Sequence, residues 1–80
     1  MYLLLQMKQR QNKIILNKII RQIKHLREKK KISQEDFYND TNIHIARIES
    51  GKANITISTL SDICSYFEIS LSDFFKQLGE

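Results

Sequence analysis

Few residues in this chain could do covalent or metal chemistry. There are two histidines, His25 and His44, and one cysteine, Cys64. A metal role for His25 would need partners, and only one other histidine exists. No Cys/His pair stands in a setting suited to nucleophilic work, and Gly51 and Gly79 form no phosphate-cradling loop. The i, i+4 carboxylates Asp36 and Asp40 read as helix-cap and turn acids. Neither an enzyme nor a cofactor is therefore expected. What remains is hydrogen-bonding chemistry around Ser33–Gly51, SQEDFYNDTNIHIARIESG. Arg47 can make a bidentate contact to guanine or hold a phosphate. On a helical wheel Ile43, Ala46, Arg47 and Ser50 fall opposite Ile45 and Ile48, with Asn42 and His44 flanking that face. A short helix with one apolar edge and an exposed arginine can enter a DNA major groove. The same outline fits an ordinary helical hairpin.

Two short helices must position these groups. The first covers about Gln34 to Asn39, capped by Ser33, with Asp36 three residues on in a capping-box-like pair. Its first-turn N–H groups offer anion sites. Phe37 is its core anchor and Tyr38 is half-buried. The second begins at Thr41, another N-cap type, covers about Asn42 to Ser50 and stops before Gly51, which suits a left-handed cap.

The order LREKKKISQEDF, then a helix ending in RIESGKAN, then TLSDICSYFEISLSDFF resembles the helix-turn-helix repressors of the phage lambda Cro and repressor type, the XRE-like family. In that family LRxxxxxSQ leads into helix 2, IExG ends the recognition helix, and the later leucine, isoleucine and phenylalanine pattern covers helices 4 and 5. The resemblance spans about Leu16 to Leu78 and lies in the combination of pieces. Ser33 to Glu49 is about three residues shorter than the family's spacing, and Asn39-Asp40-Thr41 stands where relatives carry a small-residue and glycine turn. The resemblance implies an all-α, compact five-helix bundle, lambda repressor-like, over residues 17–78, behind an N-terminal extension over residues 1–16. It implies that Gln34 touches a phosphate and that Lys52 and Asn54 lie in a loop along the DNA backbone. It implies that Glu49 pairs with Arg27, tying helix 3 to helix 1. For Ile43 two roles are open: contact with a thymine methyl, or plugging the core where relatives have a hydrophobic turn residue.

The other elements follow from periodicity. Helix 1 spans Asn17 to Lys30, with Leu16, Ile19, Ile20, Ile23 and Leu26 as its apolar stripe. Helix 4 runs from about Ser58 to Phe67 on Leu60, Ile63, Cys64 and Phe67. Helix 5 runs from Ser70 to Leu78, capped by Ser70 with Asp73 three on. Leu71, Phe74, Phe75 and Leu78 are too many apolar residues to turn inward together on so short a helix, so some are expected to meet a second subunit. Residues 1–16 admit three readings: a helical extension, best from about Gln9; a strand or clamp pairing with a second subunit; or a mostly disordered arm with Met7 as the natural start and order in Met1–Leu5 only under cover.

Eighty residues without proline, carrying one cysteine, fit one small helical domain in a reducing cytoplasm. No stretch suits a membrane span or a signal peptide. The net charge of +4 divides into +9 over residues 1–32 and −5 over residues 33–80. A basic half suggests an anionic partner, nucleic acid first. The leading expectation is a sequence-specific DNA-binding transcriptional regulator, a homodimer on a near-palindromic site of double-stranded DNA. The alternative is an antitoxin-like interaction module whose DNA binding is linked to a toxin or other partner protein, with Tyr2–Leu5 as the contact.

Overall fold

The first fifty residues hold neither of the strong helix breakers, since proline is absent and the first glycine is Gly51. The computed structural model, which describes the backbone of residues 2–79 and the side chains of residues 13–79, accordingly opens with one long helix, α1 (Tyr2–Lys29). It is 28 residues long, and the molecule's longest dimension is 44 Å. The N-terminal stretch is thus continuous with helix 1, helix begins before Gln9, and the strand reading of this stretch is overturned. The expectation of cover over Met1–Leu5, and of Tyr2–Leu5 as a contact, lies outside the described residues.

Four shorter helices follow: α2 (Gln34–Thr41), α3 (Ile45–Glu49), α4 (Ile57–Tyr66) and α5 (Leu71–Gln77). Side-chain caps start three of them. Ser33, Thr56 and Ser70 accept from the backbone N–H of Asp36, Thr59 and Asp73 at 3.0, 3.1 and 3.0 Å. Left-handed residues close the ends. After α1, Lys31 (φ 58°) donates to Glu28 O and Ile32 to Arg27 O, both at 3.0 Å. After α3, Gly51 (φ 79°) donates to Ile48 O and Lys52 to Arg47 O, again at 3.0 Å. After α4, Glu68 (φ 57°) and Ile69 repeat the arrangement. Each turns the chain sharply while satisfying the last carbonyls.

The core lies where the five helices meet. Ile19, Ile23, Phe37, Ile45, Ile48, Leu60, Ile63, Cys64, Phe67 and Phe74 form one buried cluster. Phe37 is its centre, edge-on to Tyr66 at 4.7 Å and stacked on Phe67 at 5.6 Å between ring centroids. Burial pushes the Cys64 thiol pKa up. On α5, Phe74 is fully buried, and Leu71, Phe75 and Leu78 are half-buried against the same cluster. All four reach the core, contrary to the expectation that a helix this short could not turn them all inward.

The second correction concerns the turn. Thr41 does not open α3; it is the last residue of α2. Its hydroxyl donates to Phe37 O at 2.8 Å and accepts from Ile43 N at 3.1 Å, so it ties off the helix it belongs to. Asn42 takes the left-handed position at φ 61° and closes α2. Residues 42–44 then cross irregularly, and α3 keeps only five residues.

Candidate nucleic-acid interface

Arg27 fixes α3 against α1. Its Nε donates to Glu49 Oε2 at 2.7 Å, Nη2 to Oε1 at 2.9 Å, and Nη1 to Ile32 O at 2.8 Å. The Arg27 and Glu49 side chains are 10% and 5% exposed. The hydrogen bond to Glu49 is the largest influence raising the Arg27 pKa, against the opposing effect of burial. Because Ile32 begins the approach to α2, one arginine fastens three elements. Gln34 joins them, its Nε2 donating to Glu49 Oε1 at 3.0 Å. That leaves Gln34 a second amide N–H and its carbonyl at the exposed start of α2.

The contact residues expected from the sequence fall into four groups. Arg47, Lys52 and Asn54 are exposed, Arg47 on α3 and the other two in the loop after Gly51. Ser50 is exposed, but its hydroxyl donates to Arg47 O at 2.9 Å and so serves the helix end. Asn42 and His44 are exposed but belong to the connection, since α3 starts only at Ile45. Ile43 is half-buried against the core cluster, so it takes the plugging role rather than the exposed face the wheel gave it. The wheel failed there because it assumed helix from Asn42 onward.

Between α2 and α3 lies a cleft of about 300 Å³ lined by Gln34, Glu35, Tyr38, His44, Ile45, Ala46 and Arg47. Tyr38, expected to be half-buried, is 39% exposed. Its ring centroid is 4.7 Å from that of His44, with the planes tilted by 36°. Sequence reasoning missed Tyr38 and Glu35 as surface features of this site. The available signal was spacing: Tyr38 is four residues after Gln34 and shares its helical face.

The cleft, the exposed Arg47 and the Lys52–Asn54 loop lie around one two-helix unit held to α1 by a buried ion pair. Such a surface can offer α3 and its flanks to a groove and the start of α2 to an anion. Among the described residues no helix is long and apolar enough to cross a membrane. A family model described as helix-turn-helix matches residues 23–74, from the buried Ile23 of α1 to the buried Phe74 of α5. No curated protein and no solved structure matches the chain.

Proposed function

The chain belongs to the Cro/C1-type helix-turn-helix family of DNA-binding transcriptional regulators, and we propose that it acts as a sequence-specific homodimer on a near-palindromic operator. The observation that carries the reading is the exposed set Arg47, Lys52, Asn54 and Gln34 around a two-helix unit locked by Arg27 and Glu49. Arg47 reads a base edge, Lys52 and Asn54 hold phosphates, and Gln34 takes a phosphate at the start of α2. Two copies set their recognition helices about one helical turn, roughly 34 Å, apart.

The test separates base reading from backbone holding. A phosphate contact adds affinity without sequence information, through counterion release. Lys52→Ala should therefore weaken selected and random DNA alike and lower the salt slope by about one unit. Arg47→Ala should weaken the selected site by about 1–3 kcal/mol and barely change binding to random DNA. Equal losses on both DNAs would make Arg47 a phosphate clamp.

A second reading, an antitoxin-like module with partner-linked DNA binding, is favoured by one observation. Ile14 and Ile15 on α1 are 51% and 41% exposed. A gel shift with the purified protein alone on its own upstream DNA, beside a pull-down of the neighbouring gene product, separates the two readings.

A further inference from the structure

The contacts proposed above leave the Tyr38–His44 ring pair unused, and core packing does not account for it. The core aromatics Phe37, Tyr66 and Phe67 pack on one another. Tyr38 is 39% exposed, and its ring contact is with the exposed His44. The backbone that carries the pair is held by hydrogen bonds. Tyr38 O accepts from Asn42 N at 2.7 Å, and His44 O accepts from Arg47 N and Ile48 N at 3.2 and 3.3 Å. The hydrogen bond from Ile43 N to Thr41 Oγ1 pins the chain between the two rings.

Besides the two rings, the cleft is lined by Gln34, Glu35, Ile45, Ala46 and Arg47. Glu35 decides between two kinds of occupant. Its carboxylate opposes the attraction of Arg47 for a phosphate, so beyond Gln34 the cleft offers the DNA backbone little net charge. Two aromatic rings and a methyl group suit an apolar projection instead. In the major groove the apolar projection of a base pair is the C5-methyl group of thymine.

We propose that Tyr38 and His44, with Ala46, seat the C5-methyl group of a thymine, which makes Tyr38 a specificity-determining residue of this site. The proposal rests on the DNA-binding reading and adds a base identity to it. It also gives the short connection a role, because starting α3 at Ile45 places His44 before the helix, against Tyr38.

The experiment uses the full chain and its best sequence from in vitro selection. Each thymine is replaced singly by uracil, which removes only the methyl group. One thymine in each half-site should lose about fourfold in affinity as uracil, the worth of one buried methyl. At that position Tyr38→Ala and His44→Ala should bind thymine and uracil equally, whereas Tyr38→Phe should keep the preference. Circular dichroism and an unchanged preference at other thymines show that the variants are folded. Uracil tolerated at every position overturns the proposal, as does a Tyr38→Ala protein that keeps the full thymine preference. Failure of the wild-type chain to select any sequence would be a different result, since it overturns the DNA-binding reading and takes this proposal with it.

Discussion

Arg27 is the charged residue that the described part of the chain buries, at 8% exposed. Removing a guanidinium from water costs several kcal/mol, which here is offset by both Glu49 oxygens and the Ile32 carbonyl. Glu49→Ala takes away the carboxylate and leaves the cation in place, and Gln34 loses its acceptor as well. The expected destabilisation is about 3–5 kcal/mol, a large share of a small domain's stability. An unchanged denaturation midpoint would show that water replaces Glu49 at no cost. Tyr66 gives the second prediction at this scale. Its hydroxyl donates to Asp40 Oδ2 at 2.7 Å, and that hydrogen bond is the first cause of a pKa raised above the usual tyrosine value. A raised pKa means that the folded state keeps a proton the unfolded state has lost, so this stabilisation is full below about pH 10 and disappears as pH climbs through the folded value. The Cys64 thiol shifts in the same direction. Tyr66→Phe in an unaltered Cys64 background should therefore flatten the fall in thermal midpoint above about pH 10, and an unaltered fall would assign it to other groups. The partners of Arg27 were readable because both residues sit in motifs that the resemblance links. Asp40 and Tyr66 were not, since 26 residues separate them and each type is at home in water.

At the level of elements, the helix starts were easier to read than the helix stops. Ser33 and Ser70 carry the cap chemistry their sequence promised, and Gly51 takes the left-handed closure. Lys31 and Glu68 were unreadable as closures because neither residue type marks a left-handed position, yet they stand at φ 58° and 57°. Thr41 misled for a related reason. A threonine hydroxyl can bond backbone at either end of a helix, and here it bonds the carbonyl of the buried Phe37 one turn back. That single choice moved the start of α3 to Ile45 and changed the roles of Asn42, Ile43 and His44. The strain at the closures is testable. A left-handed conformation costs a side-chain-bearing residue about 1–2 kcal/mol, partly recovered as glycine's entropy loss of about 0.5–1. Glu68→Gly should thus raise stability by roughly 0.5–1 kcal/mol in urea titrations, and Lys31→Gly should do the same. A loss of stability at both sites would mean that the side chains contribute interactions larger than the strain.

On the scale of the whole molecule, charge and apolar surface divide differently from what the family pattern suggests. The +9 of residues 1–32 lies on α1 and on Lys30 and Lys31 just after it, whereas Arg47 and Lys52 are the cations of α3 and its following loop. One copy thus brings few cations to α3 and its loop, and the proposed second copy would double them. The apolar residues of α5 pack on the core, so the exposed aliphatic surface of α1, at Ile14 and Ile15, is the better candidate for joining two copies. Two α1 helices meeting there would bring like charges together, with Lys13 beside Ile14 and Lys18 and Arg21 further along. Salt screens that repulsion, with a Debye length falling from about 10 Å at 0.1 M to about 3 Å at 1 M. The same salt weakens DNA binding by removing the gain from counterion release. Dimerisation should therefore strengthen as salt rises while operator affinity falls, two opposite slopes from one protein. Sedimentation at tens of micromolar across a salt series, beside titrations on whole and half operators, measures both. A Ile14→Ser, Ile15→Ser double variant should shift the chain toward its 9.5 kDa monomer and remove the advantage of the whole operator over the half. A dimer that weakens with salt would instead set α1 against the acidic half of its partner, and a 9.5 kDa species at every salt concentration would remove the homodimer.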